Sequence, residues 1–169
     1  SKEVEDLTAV LEIVSGNRKV VYAGHSMGGA VGVLAASNDD RIGHLISLSG
    51  MVHTAKFSKV EFGDQIPDEG FMWEEEDCPL SSAYVNDMNT ISSVLEKGSE
   101  IKVPWLLVHG TEDDVVPIEE THEIFKKANE PKKRVVIDGA DHVFSSEEAS
   151  AEMVEAVVTW LKEFFGRIN

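Results

Sequence analysis

Cysteine is almost missing from this sequence, and the one present, Cys78, lies in no Cys-x-x-Cys or Cys/His cluster. A lone cysteine closes no intramolecular disulfide, so a disulfide-stapled secreted scaffold is excluded and a reducing, cytoplasmic setting is expected. Long apolar runs are missing too: no stretch approaches the roughly 20 residues that span a bilayer, and Ser1-Lys2-Glu3 shows neither an initiator Met nor a secretory leader pattern. Positive charge is scarce. Against 31 Asp and Glu stand 15 Lys and Arg, a formal net charge of -16 over 169 residues. A field of that sign repels phosphate backbones and anionic headgroups, which argues against nucleic acid or a membrane surface as principal partner. His-Glu-x-x-His, EF-hand and clustered-histidine patterns are absent as well, so Asp138, Asp141 and His142 carry no metal reading.

What is there suits one globular α/β domain. Hydrophobic residues make up 42% of the chain, enough to bury a core. Val4, Leu7, Leu11 and Val14 recur at helical spacing and stop at Gly16-Asn17. Lys19–Ala23, Ile42–Ser49, Trp105–His109 and Arg134–Ile137 read as short buried strands. Helical patterns over 27–37 and 118–128 alternate with them, and a last helix carries Ala149, Met153, Ala156, Trp160 and Phe164 as one stripe after a Ser145/Glu148 capping box. Apolar strands alternating with helices imply a parallel sheet covered on both faces, a three-layer αβα arrangement. Residues 51–100 break the rhythm with mixed charge, Gly and Pro, the acidic run Glu74-Glu75-Glu76-Asp77, and a weak helical signal over 87–95. That length far exceeds what one crossover needs, so the segment reads as an insertion over one edge of the sheet, with the acidic run as a solvated loop.

Gly24-His25-Ser26-Met27-Gly28 follows the first strand and opens the next helix. In a Gly-x-Ser-x-Gly turn the serine takes up strained backbone angles, so positions two before and two after must be glycine or small. The turn presents the hydroxyl at the carboxyl end of the sheet, where open α/β sheets bind ligands. A serine hydroxyl needs a base and the base an orienting carboxylate. His109-Gly110-Thr111-Glu112-Asp113-Asp114-Val115-Val116-Pro117 leaves the third strand and Gly139-Ala140-Asp141-His142 the fourth, so the chain order is Ser, Asp, His.

With GHSMGG at 24–29, HGTEDDVVP at 109–117 and GADHVFS at 139–145, the sequence resembles the α/β-hydrolase-fold serine hydrolases. Within them it is most similar to the carboxylesterase, cinnamoyl (feruloyl) esterase and monoacylglycerol-lipase-like group. The resemblance implies Ser26 as nucleophile, His142 as base and Asp113 as acid, with Asp114 as the alternative acid. It also implies the Met27 backbone N–H as one oxyanion donor, no cofactor, and a small-molecule ester as substrate. In that fold the nucleophile strand is central and fifth of eight; here it is first, so only the strands 5–8 half with a lid-like insertion is expected. The chain then reads as part of a larger unit, its partner a missing N-terminal half or a second copy. A second oxyanion donor from an earlier loop is outside the sequence. A peptidase or acyltransferase of the same fold, or a non-catalytic fragment, stand as rival readings.

Other candidates take quieter roles. His25 and His109 are expected to pack or hydrogen-bond beneath the turns, His44, His53 and His122 to be structural or exposed, and Cys78 to be inert. Phe71, Met72 and Trp73 offer either an apolar wall for an acyl or aromatic group or a surface that packs the insertion onto the body.

Overall fold

The structure is a computed structural model that describes residues 1–166. Four parallel strands, β1 (Val20–His25), β2 (Ile42–Leu48), β3 (Trp105–Gly110) and β4 (Lys132–Ile137), stand side by side in chain order. Among the described residues six α-helices accompany them: α1 (Lys2–Val14), α2 (Met27–Ala36), α3 (Thr54–Phe62), α4 (Ser82–Ile91), α5 (Ile118–Lys127) and α6 (Glu147–Phe165). Among the described residues no helix is long and apolar enough to cross a membrane.

The period-two alternation of the strands distributes the core. Leu45, Trp105 and Leu107 point to one face, where Ala30 and Val33 of α2 and Ile124 of α5 cover them. Ile46, Leu106 and Val108 point to the other, against Phe144 and the Ala149 and Trp160 of α6. Every residue of β3 is buried, as a central strand covered on both faces demands. The Trp105 indole N–H, the one polar atom of that side chain, donates to Ser47 Oγ at 3.0 Å. β1 pairs on one side only, and its Val21 is 39% exposed. The stripe expected on α1 is covered in part: Leu11 is buried against Ala35 and Ile42, whereas Val14 is 57% exposed.

Three local expectations change. The cap of α6 is Ser146, whose Oγ accepts from Ala149 N–H at 3.0 Å. Ser145 instead donates its backbone N–H and its hydroxyl to the Asp141 carboxylate, so the Ser145/Glu148 box does not form. Within 51–100, helix α3 occupies a stretch that reads as irregular in sequence, and α4 starts at Ser82, five residues before the helical signal begins. Its cap is Ser81, which accepts from Tyr84 N–H at 3.1 Å.

The segment lies over the carboxyl end of the sheet, not over an edge. Met51, Phe57, Phe62, Leu80 and Met88 are buried in one cluster with Val116, and Met27 packs against it. Glu120 of α5 is buried and accepts from Val52 N–H at 2.7 Å and His53 N–H at 3.0 Å, which ties the start of the segment to the body. Glu75, Glu76 and Asp77 are exposed as expected of a solvated run; the Glu74 side chain lies outside the described residues.

Candidate active site

The turn after β1 has the strain its sequence pattern implies. Ser26 sits at φ 53° and ψ -121°, a conformation that a residue with a Cβ adopts only when its surroundings enforce it. The surroundings here are close. A Cβ on Gly24 would lie 2.1 Å from the Gly28 carbonyl oxygen, and one on Gly29 would lie 2.6 Å from Gly50 Cα. Gly28 itself has ordinary space, its nearest neighbour being Tyr22 Oη at 3.6 Å. The second steric requirement therefore falls three residues after the serine, not two. Hydrogen bonds hold the turn in register: Ser26 N–H donates to Leu48 O at 3.0 Å, and Ser26 O accepts from Met51 N–H at 3.0 Å. Met27 opens α2, so its N–H belongs to the helical first turn whose donors have no intrahelical partner and favour negative charge.

Asp113 and His142 meet across the loops after β3 and β4. His142 Nδ1–H donates to the Asp113 carboxylate at 2.9 Å and 3.0 Å. That bond places the ring proton on Nδ1 and leaves Nε2 as the basic nitrogen. The Asp113 side chain is wholly enclosed and that of His142 12% exposed. Two backbone donors, Val115 N–H at 3.0 Å and Val116 N–H at 2.8 Å, also reach Asp113 Oδ1. Burial alone would raise the pKa of this carboxyl, but hydrogen bonds from His109, His142 and the Val116 N–H outweigh it and hold the group well below the usual carboxylate range. Asp113 is thus an anion that orients an imidazole.

His109 is the partner that sequence reasoning placed beneath the turn without giving it a task. Its ring is fully buried; Nε2–H donates to Val116 O at 2.9 Å, and Thr121 O–H donates to Nδ1 at 2.7 Å. The same Nε2 lies 3.0 Å from Asp113 Oδ2. Since a carbonyl only accepts, Nε2 must carry the proton, and the Thr121 hydroxyl fixes that tautomer from the far side. Asp113 is therefore bracketed by two imidazoles. Asp114, its neighbour, is exposed and lines a shallow cavity with Phe57 and Pro117.

The other candidates lie elsewhere. His44 packs among Trp160, Phe164 and Phe165, where burial, followed by the charge of Lys19, lowers its pKa. His53 Nε2–H donates to Glu123 at 2.8 Å, and Ser93 O–H donates to its Nδ1 at 3.0 Å, a bridge between α5 and the 51–100 segment. Asp138 accepts from Thr111 O–H at 3.3 Å. Met72 joins the apolar cluster beside Met27, whereas Phe71 and Trp73 are 38% and 59% exposed, Trp73 touching the Phe62 ring edge-on at 5.3 Å. A cleft of about 640 Å³ between α3 and α4 is lined by Lys56, Lys59, Phe62 and Asn89 but by none of Ser26, Met27, Asp113 or His142.

Comparison with known proteins bears on the family and the fold. The profile of the prolyl oligopeptidase family matches residues 1–167. An uncharacterized protein of Salmonella typhi, YfhR, is 28% identical over 132 residues, which cover 74% of this chain and 40% of that protein. The chain thus spans well under half the length of the curated relatives it matches. Among solved structures, Est1E from Butyrivibrio proteoclasticus with ferulic acid bound superposes with a TM-score of 0.81 at 27% identity, covering 97% of this chain and 68% of that one. The esterase domain of a Rhodothermus marinus protein superposes with a TM-score of 0.76 at 21% identity over 96% of this chain and 70% of that one, a likeness of fold. The four-stranded sheet and its helices are a partial α/β-hydrolase fold.

Proposed function

We propose that this chain, which belongs to the prolyl oligopeptidase family, carries the acyl-transfer residues of a serine hydrolase that cleaves a carboxylic ester. The observation that carries the reading is the Asp113–His142 pair at 2.9 Å, held at the same end of the sheet as a serine at positive φ. The Ser26 hydroxyl attacks the ester carbonyl while His142 Nε2 takes its proton. The imidazolium gives that proton to the leaving alkoxide as the tetrahedral intermediate collapses to an acyl-enzyme. Water then adds to the acyl carbonyl, its proton passing to His142 and back to Ser26 as the acid leaves. Asp113 keeps the imidazole in the Nδ1–H tautomer and stabilises the imidazolium. Met27 N–H, at the start of α2, faces the developing oxyanion. The Met27-side cluster of Met51, Phe57 and Phe62 gives the 51–100 segment the chemistry of a lid over an acyl group, with Phe71 and Trp73 at its rim.

A peptidase is the second reading, and membership of the prolyl oligopeptidase family favours it, since the same three residues cleave an amide. The test is labelling of the whole native protein by a fluorophosphonate. Ser26→Ala is expected to abolish it, and absence of labelling in the folded wild-type protein overturns the serine-hydrolase reading. Turnover of p-nitrophenyl esters against aminoacyl p-nitroanilides then separates ester from amide cleavage; faster anilide cleavage overturns the esterase assignment.

A further inference from the structure

β1 and β4 are the two outer strands of the sheet, with β2 and β3 between them. Three strand spacings separate them, about 14 Å at ~4.8 Å each, so no ladder of backbone bonds sets one directly against the other. Yet Ser26 leaves β1 and His142 leaves the loop after β4, and the chemistry needs them within hydrogen-bond reach. The loop that carries His142 is anchored firmly on the acid side: Glu112 N–H donates to Ala140 O at 3.0 Å, Gly139 N–H to Thr111 Oγ1 at 2.8 Å, and His142 Nδ1–H to Asp113. On the nucleophile side one contact remains. His25 Nε2–H donates to the backbone carbonyl of His142 at 2.8 Å, and the two imidazole centroids lie 4.7 Å apart with ring planes 49° apart. Among the described residues this is the one hydrogen bond between 24–29 and 139–145.

We infer that His25 is a positioning residue that sets the gap between the nucleophile and its base. Being adjacent to Ser26, it moves with the nucleophile turn; bonded to the His142 carbonyl and packed on its ring, it carries that movement to the base. Its N–H fixes the distance and its ring limits rotation of the base, which Asp113 holds from the other side. A carbonyl acceptor requires the donor at the Nε2 position, so the residue needs both a plane and a distal N–H. The inference rests on the serine-hydrolase reading.

Three substitutions in the whole native protein test it. His25→Phe keeps the ring and loses the donor; His25→Gln places an amide N–H near the position of Nε2; His25→Asn places one near Nδ1, too short to reach the carbonyl. Misplacement of reacting groups by about 1 Å can cost on the order of 100-fold. His25→Phe and His25→Asn are therefore expected to lower kcat and the fluorophosphonate labelling rate by about 10- to 100-fold with KM unchanged, and His25→Gln to return to within about threefold of wild type. Amide hydrogen exchange over 139–145 is expected to accelerate in His25→Phe and not in His25→Gln, a readout independent of turnover. Wild-type kcat and unchanged exchange in His25→Phe overturn the inference while leaving the serine-hydrolase reading intact. So does a Gln variant no better than Phe, since a loss common to all substitutions marks an ordinary structural residue. An unlabelled wild-type protein is failure of the hydrolase reading itself.

Discussion

Replacing Asp113 by Asn tests the site most sharply, because the change preserves shape while removing the negative charge and turning one acceptor into a donor. The carboxylate accepts from Val115 N–H, Val116 N–H and His142 Nδ1–H and lies 3.0 Å from the His109 Nε2 donor. An asparagine oriented with its oxygen toward the two backbone N–H groups turns its NH₂ toward both imidazoles. His109 cannot adapt, since Val116 O and Thr121 O–H hold its proton on Nε2. His142 Nδ1, which bonds both carboxylate oxygens, keeps the asparagine oxygen at 3.0 Å but meets the NH₂ at 2.9 Å; moving its proton from Nδ1 to Nε2 relieves that clash and removes the basic nitrogen on which the proposed proton transfer depends. A wrong-tautomer histidine costs turnover on the order of 10⁴-fold, which at about 1.36 kcal/mol per decade is roughly 5.4 kcal/mol of barrier.

The cost in stability is smaller. Charge-assisted bonds become neutral ones and one donor–donor contact appears, together about 2 to 3 kcal/mol. At about 2 to 4 °C per kcal/mol for a domain of this size, melting falls by roughly 4 to 12 °C, within what a folded domain survives. Steady-state turnover of a p-nitrophenyl ester and a thermal melt measure both quantities. Turnover within tenfold of wild type, or a larger loss in Asp114→Asn than in Asp113→Asn, refutes the assignment; Asp114, exposed to solvent, is expected to change turnover by less than about twofold.

The pH dependence of stability has a definite sign. Asp113 is held below the usual carboxylate range when folded, so between its folded pKa and the unfolded value of about 3.9 the unfolded chain binds the extra proton. The stabilisation is present above that unfolded value and lost as pH falls toward the folded one; acid titration of the melt is expected to be steeper in wild type than in Asp113→Asn, and parallel curves contradict it. At the nucleophile turn, Gly24→Ala places a Cβ 2.1 Å from Gly28 O and is expected to cost about 3 kcal/mol or more. Gly28→Ala, with 3.6 Å to Tyr22 Oη, is expected to cost under about 1 kcal/mol, and equal losses in denaturant melts contradict the steric account. Phe71→Ala and Trp73→Ala, partly exposed at 38% and 59%, are expected to shift acyl-chain or aromatic preference with little change in melting; a large fall in melting temperature with unchanged preference makes them core residues.

The four strands were legible because three-layer burial demands apolar, β-branched runs, and Ile42–Leu48 and Trp105–Gly110 supply them. Helix α3 was not, for a physical reason. Beside Phe57 and Phe62 it buries Thr54 and Ser58, and the Thr54 hydroxyl donates to Met88 O at 2.8 Å. A helix packed through small polar groups leaves no hydrophobic period to read. The cap of α6 slipped by one residue because two serines compete and Asp141 captures the first. In the acid loop the family resemblance favoured Asp113 over Asp114, and their burial differs: one is enclosed between two imidazoles, the other faces solvent.

What motif spacing could not reach is the relation between loops. Ser26, Asp113 and His142 each belong to a local pattern, so each is visible within a few residues of chain. The contacts that hold those patterns together are made by side chains whose meaning depends on a partner far away in sequence: His25 on the His142 carbonyl, and Glu120 on the backbone of Val52 and His53. Specificity lies at the same level. The residues packed beside Met27 come from the 51–100 segment, whose two helices meet through Phe57, Phe62 and Met88 and through the Thr54–Met88 hydrogen bond, and whose start Glu120 ties to α5. The Glu120 bonds to the backbone of Val52 and His53 do not depend on the identity of the apolar side chains, so on the proposed ester-hydrolase reading two chains with the same three motifs can present different walls to an acyl group. On that reading, discrimination between substrates follows from which of Met51, Phe57, Phe62 and Met72 reach the acyl chain, each buried methylene being worth about 0.8 kcal/mol.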